Sequence, residues 1–265
     1  LSIMGLLGKG GKITKGEIIF KGESLPALSE KDLDKVRGSQ MTMIFQDALT
    51  SLNPVFTIGN QLMESMITHL KISKKEARIR AEELLAKVGL PDPASVMKKY
   101  PHTLSGGMRQ RVMIAMALTC NPSLLIADEP TTALDVTIQA QIMELLRKLN
   151  RELNMSIILI THDMGLVAEM ADRVLVMYAG QIVEEAEVSK LFSKPQHPYT
   201  SALLQSIPSI RYDKNHELIP IKGTVPEEYE NIKGCRFANR CPYAKKECDY
   251  EQILIEVEPG HFKRC

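Results

Sequence analysis

The chain carries almost no net charge. Its 33 Lys and Arg residues face 32 Asp and Glu, for a formal net charge of +1. No basic footprint therefore marks it as a nucleic-acid binder. It also lacks any apolar run near the ~20 residues that span a bilayer. The opening Leu1-Ser2-Ile3-Met4-Gly5-Leu6-Leu7 lacks the basic start of a secretory signal. These absences point to a cytoplasmic protein, which at a membrane would need something else to anchor it. Cysteine is sparse, five in 265 residues. Cys120 sits alone in an apolar helical pattern and reads as a small buried residue. Cys235, Cys241, Cys248 and Cys265 crowd into the last stretch. The remainder, 44% hydrophobic and 25% charged, is an ordinary globular composition. Its length allows one large domain or one domain with an appendage.

The stretch Leu104-Ser105-Gly106-Gly107-Met108-Arg109-Gln110-Arg111 opens a helical pattern over residues 108–119. Met113, Met116, Ala117 and Cys120 can share its apolar face. A helix start has unpaired N–H groups and partial positive charge, so it suits an anion. Two glycines let a phosphate approach the backbone, and Ser105 adds a hydroxyl. Taken alone, the same residues make an ordinary Ser-capped helix.

Leu124-Leu125-Ile126-Ala127-Asp128-Glu129 reads as a buried parallel strand with two carboxylates at its C-terminal end. Open α/β sheets bind ligands at that end. Neighbours on a strand point to opposite faces, so the strand must end near Asp128 for both acids to serve one site. Ala133-Leu134-Asp135 follows. Ser156-Ile157-Ile158-Leu159-Ile160 reads as a second buried strand, leading into Thr161-His162-Asp163.

This order resembles the nucleotide-binding subunit of ABC transporters. Residues 104–110 look like its signature motif, 124–129 like Walker B, 133–135 like the D-loop, and His162 like the switch histidine. Gln46, after the short apolar strand Met41-Thr42-Met43-Ile44-Phe45, matches the Q-loop glutamine. The implied fold is α/β, a P-loop NTPase-like ABC ATPase core with a helical subdomain at about residues 54–120. The resemblance implies ATP and Mg²⁺ as cofactors. Asp128 and Gln46 would serve the metal, Glu129 would be the general base, and His162 would contact the γ-phosphate. Ser105, Gly106, Gly107 and Gln110 would serve ATP held on an opposite subunit. Asp135 would lie at the dimer interface.

The family's phosphate loop, Gly-x-x-x-x-Gly-Lys-Ser/Thr, does not occur. Gly8-Lys9 and Gly11-Lys12 would each need a glycine five residues earlier, where Ile3 and Leu6 stand. By resemblance, residues 1–7 match the body of the helix after that loop. The expectation is a core that is incomplete at its N-terminus. Its own phosphate half-site would be crippled, while its signature half-site could still complete a partner's.

Ile13 to Phe20 alternates like a strand, with a turn at Gly22. A short helix begins at Ser29-Glu30-Lys31-Asp32. Residues 48–54 form a loop, and helices are expected at 58–70 and 74–88, the second with a Ser73/Glu76 capping box and a Gly89 stop. A helix follows at 164–171, then a strand pair at 173–178 and 181–185 turning at Ala179-Gly180. Short helices lie at 187–192 and 199–207, and 208–234 reads as a linker.

The tail narrows the resemblance. Gly234-Cys235-Arg236-Phe237-Ala238-Asn239-Arg240-Cys241-Pro242-Tyr243-Ala244 is similar to the C-terminal extension of oligopeptide and dipeptide importer ATPases. So are His197-Pro198-Tyr199-Thr200 and Gly223-Thr224-Val225-Pro226. The run from Ile126 to Thr137 favours the D-type subunit. The domains would be 1–207, the ATPase, and 208–265, a small cysteine-containing extension. Implied partners are a second ATPase subunit of the F-type, two transmembrane permease subunits at the cytoplasmic face of the membrane and, indirectly, an extracytoplasmic peptide-binding protein. Rival readings are an ABC ATPase for nickel or glutathione, and a non-catalytic partner module. The tail spacing C-x5-C-x6-C-x16-C is looser than usual zinc pairs. Zinc, two disulfides and four free thiols all stay open. The resemblance implies a [4Fe–4S] cluster on Cys235, Cys241, Cys248 and Cys265.

Overall fold

The computed structural model describes residues 1–8, 10–46, 51–132, 134–207 and 220–265. Lys9, residues 47–50 after Gln46, Ala133 of the D-loop, and 208–219 of the expected linker lie outside the described residues. The chain forms two compact units, Leu1–Thr161 and His162–Cys265. This division falls earlier than the motif-based one at residue 207, because the last strands of the tail join a sheet begun at Arg173.

In the first unit, β1 (Ile19–Phe20) and β2 (Glu23–Ser24) form a small antiparallel hairpin. Lys21 and Gly22 both have positive φ, 51° and 86°, the geometry of a tight two-residue hairpin turn. The strand expected over 13–20 is thus only its last two residues; Ile13 is exposed and its alternation finds no partner strand among the described residues. Helix α1 (Glu30–Val36) starts on Ser29, whose hydroxyl accepts from Asp32 N–H.

The central sheet has the order β3 (Met41–Ile44), β4 (Leu124–Asp128), β5 (Ser156–Ile160), all parallel. β4 is flanked on both sides, and Leu125, Ile126 and Ala127 are buried. That is why it reads as a continuous apolar run. β5 departs from the expected buried strand. Among the described residues it is the outer strand, its burial alternates, and Ile158 and Ile160 are exposed.

The helical part comprises α2 (Ile58–Ser65), continued by a wider π-helical turn to Leu70, α3 (Lys74–Lys87), α4 (Pro93–Val96) and α5 (Gly106–Ala117). Thr57 caps α2 and Ser73 caps α3, each accepting from the N–H three residues on. Gly89 follows α3 with φ 78°, the left-handed stop that glycine supplies without strain. Leu62, Leu85, Ile114 and Leu118 are almost wholly buried in this unit. Each contributes about 1.5–3 kcal/mol of transfer free energy. α5 starts two residues before the expected 108, with Ser105 as its cap. Its buried surface is not a single stripe either, since Val112, Met113, Ile114 and Ala115 are consecutive and all buried. Helix α6 (Val136–Leu153) leads to β5.

In the second unit, α7 (Met164–Met170) precedes the hairpin β6 (Arg173–Tyr178) and β7 (Gln181–Glu187). Ala179 and Gly180, with φ 46° and 77°, make the expected turn. α8 (Val188–Ser193) and α9 (Pro198–Gln205) follow. The tail then supplies β8 (Ile255–Glu258) and β9 (His261–Lys263), completing a sheet of order β6-β7-β9-β8. Its core gathers Val174, Val176, Tyr178, Val183, Leu191 and Phe237. Phe237 meets Tyr178 edge to face, with ring centroids 5.2 Å apart. The tail thus contributes to this core: its Phe237 is 2% exposed.

Candidate functional site

The parallel register places the ends of β3 and β4 side by side, with Ile44 opposite Ala127. Gln46 lies two residues beyond β3, and β4 stops at Asp128. The N–H of Glu129 still reaches Ile160 O at 2.9 Å. The backbone then turns left-handed at Glu129, φ 44°. This is an uncommon conformation for a residue with a side chain. It breaks the strand alternation and sends the next residues into a turn closed by Thr132 N–H on Glu129 O, 3.1 Å. Pro130 occupies the second position of that turn, where its fixed φ is favoured. The carboxylate of Glu129 accepts two hydrogen bonds on the same oxygen, Oε2. Gln46 Nε2 donates at 2.8 Å and Thr132 Oγ1 at 2.9 Å. Two of the expected residues, Gln46 and Glu129, are thus in direct contact, beside Asp128. Thr132 had not been singled out in the sequence.

His162 opens the second unit, next to Asp163. Asp163 Oδ1 caps α7 by accepting from Gly165 N–H at 2.8 Å and Leu166 N–H at 3.2 Å.

A second feature of the first unit is a cleft of about 480 Å³ lined by Ser105, Gly106, Gly107, Met108, Arg111, Leu134, Asp135 and Ile138. It joins the start of α5 to the start of α6. Ser105 Oγ accepts from Met108 N–H at 3.3 Å, and Asp135 Oδ1 accepts from Ile138 N–H at 3.0 Å. Ser105 is therefore a true cap, and its hydroxyl hydrogen can still donate. Gly107 is a close-approach position, since a Cβ there would lie 3.0 Å from Ile138 Cγ2.

Gln110 is placed differently from the expectation. It is 4% exposed and does not line this cleft, whereas Met108 does. Residues two apart on a helix point about 200° apart, so the two cannot share a face. Arg111, not foreseen, lines the cleft while donating to Val88 O at 2.7 Å and to Gln141 Oε1 at 3.0 Å. One turn beyond Gly107 in a helix, it was recognisable only by its charge.

Of the four tail cysteines, Cys235 interacts electrostatically with the other three, and Cys241 with Cys248 and Cys265. Burial pushes the Cys235 thiol up, with further upward contributions from Cys248, Cys265 and Cys241. Cys241 is raised by burial and again by Cys265 and Cys248. Cys235 N–H also donates to Cys248 O at 2.8 Å. Nevertheless, among the described residues no three His, Cys, Asp or Glu side chains are grouped to hold a metal ion. The soft donors are right for iron or zinc, but their arrangement here is not a ligand set.

The sequence also gave no hint of a buried polar knot in the second unit. Glu184, His261 and His197 are each at most 1% exposed. Glu184 accepts from Gln196 N–H at 2.7 Å and from His197 N–H at 2.9 Å, and its Oε1 lies 2.7 Å from His261 Nε2.

Comparisons with known proteins identify the family. Residues 2–132 match the ABC transporter family model, and residues 183–248 match the model described as oligopeptide/dipeptide transporter, C-terminal region. The chain is 55% identical, over all of its length and 81% of the other's, to the oligopeptide transport ATP-binding protein AppD of Bacillus subtilis. It is 51% identical to the dipeptide transport ATP-binding protein DppD of Escherichia coli, over all of this chain and 81% of that one. The dimeric ATP-binding cassette MJ0796 with ADP and Pi aligns at TM-score 0.61 and 31% identity, over 71% of this chain and 79% of that structure. A strand-end carboxylate pair with a glutamine on it, a glycine-rich helix start, and these matches lead to one conclusion: the chain belongs to the ATP-binding subunits of the oligopeptide/dipeptide ABC transporter family.

Proposed function

We propose that this chain hydrolyses ATP to power uptake of oligopeptides or dipeptides through a membrane permease. The observation that carries the chemistry is the contact of Gln46 with Glu129 at the end of β4, beside Asp128. Phosphoryl transfer to water needs positioning and charge stabilisation more than covalent chemistry. Glu129 would take the proton of the attacking water. Asp128 would hold Mg²⁺, which needs only one or two protein oxygens alongside those of the phosphates. Gln46 commits its amide nitrogen to Glu129, so its carbonyl oxygen is the group for the metal. His162 would meet the γ-phosphate. Ser105, Gly106 and Gly107 would bind ATP on a second ATPase subunit, with Asp135 at that interface. We place Met108 there rather than Gln110, because Gln110 is buried in α5.

No helix among the described residues is long and apolar enough to cross a membrane. Membrane attachment would come through the permease, at its cytoplasmic face. An F-type second subunit and an extracytoplasmic binding protein are the finer partner proposals. A [4Fe–4S] cluster on Cys235, Cys241, Cys248 and Cys265 is a separate proposal, supported by donor softness and mutual proximity but not by a formed ligand set.

The test is Glu129→Gln in the assembled transporter. An amide fills the same space but cannot accept the water's proton, so ATP should stay bound while turnover drops ~10²–10⁴-fold. Peptide uptake should stop with it. Near-normal hydrolysis would remove Glu129 as the base. Uptake of nickel or glutathione, but not peptides, by the wild-type transporter would replace the substrate class.

A further inference from the structure

We infer that Thr132 is a positioning residue for hydrolysis, holding the Glu129 carboxylate in the orientation from which it takes a proton. This rests on the reading of Glu129 as general base. The last torsion of a glutamate side chain is broad and only loosely two-fold, so the carboxylate plane must be fixed from outside. Two donors reach one oxygen: Gln46 Nε2 at 2.8 Å and Thr132 Oγ1 at 2.9 Å. They differ in how they are attached. Gln46 is 83 residues away in sequence, on a separate strand end. Thr132 belongs to the turn that Glu129 itself begins, closed by Thr132 N–H on Glu129 O at 3.1 Å. The left-handed backbone at Glu129, φ 44°, brings that hydroxyl back over its own carboxylate. The Thr132 contact therefore travels with Glu129 through any movement of the Gln46 segment.

The experiment compares Thr132→Val, which keeps the shape and removes the donor, with Thr132→Ser, which keeps the donor. Both are measured in the assembled transporter by steady-state ATP hydrolysis over a range of ATP concentrations. Thr132→Val should lower kcat about tenfold, as loss of positioning does, with KM for ATP little changed. Thr132→Ser should recover most of the rate. Thr132→Ala, which removes the donor without adding a branched apolar end, should behave like Thr132→Val; this covers a Val variant that fails to assemble. In a Glu129→Gln background, Thr132→Val should cost nothing further. If Glu129→Gln is inactive while Thr132→Val and Thr132→Ala keep wild-type kcat, the positioning role is wrong and the base assignment stands. If Glu129→Gln still turns over, the base assignment itself has failed. Equal losses in the Ser, Ala and Val variants would indicate a packing role and overturn the inference.

Discussion

Glu184 Oε1 and His261 Nε2 lie 2.7 Å apart, both side chains wholly buried and 77 residues apart in sequence. The contact is a hydrogen bond through His261 Nε2. His261 Nδ1 has no partner among the described residues. The pair ties β9 to β7, whose strands also hydrogen-bond at Glu184 and Glu185. It is thus a clasp between the hairpin and the tail.

His261→Ala should therefore destabilise the second unit by about 2 kcal/mol, within the range for leaving a buried polar group short of a hydrogen-bond partner, because Glu184 keeps the N–H groups of Gln196 and His197. Urea unfolding would give the loss, and limited proteolysis should show cuts near β8 and β9. A cost below about 1 kcal/mol, the scale of an exposed pair, would mean that the clasp contributes little.

His197 makes the same region sensitive to acid. Burial pushes its imidazole down to about 4, against the pull of Glu184, while Lys263 lowers it further. Its Nδ1 accepts from Tyr199 N–H at 3.1 Å, an interaction only the unprotonated nitrogen can make. Between its ordinary value, about 6.5, and about 4, the unfolded chain binds a proton that the folded one does not. Stability in that window therefore rises with pH and is lost as pH falls. Thermal unfolding should show a lower Tm at pH 5 than at pH 7. His197→Asn, whose side-chain oxygen can replace Nδ1 as acceptor, should show a smaller drop. An equal drop in both proteins would assign the acid sensitivity elsewhere.

The legible parts of this protein were those fixed by local chemistry. Ser29, Ser73 and Ser105 cap helices as their sequence context indicates, and Ala179-Gly180 turns where expected. β4 was legible because a central parallel strand buries both faces and so has an unbroken apolar run. Where burial depends on distant neighbours, the pattern misled. Among the described residues the Ile-rich β5 is an outer strand, and the alternation over 13–20 yields two strand residues. In the site, Gln46 and Glu129, which motif order puts together, touch each other. Gln110 lies buried in α5, away from the cleft that Ser105, Gly106 and Gly107 line, because motif membership says nothing of helix azimuth, and the Thr132 contact was not legible because it depends on a left-handed backbone at Glu129. The clasp of Glu184 and His261 joins residues whose proximity no local pattern encodes.

Gly107 offers a test of how the two helix starts are coupled. Replacement by alanine has two opposed effects. Helix propensity favours alanine by up to about 1 kcal/mol. The new Cβ, however, would stand 3.0 Å from Ile138 Cγ2, so the first turn of α6 must give by a few tenths of an ångström. That turn carries Asp135, which caps it and lines the cleft with Ser105. Gly107→Ala should accordingly leave stability nearly unchanged yet lower ATP turnover by the assembled transporter roughly tenfold, since small misplacements at a reacting site are costly in rate. Ile138→Ala removes the crowded methyl groups. The double variant Gly107→Ala with Ile138→Ala should then turn over faster than Gly107→Ala alone, a non-additivity expected of residues in contact. If the double variant is no better than the product of the single losses, crowding against α6 is not the reason glycine is required, and close approach of a bound phosphate to the backbone would be the better account.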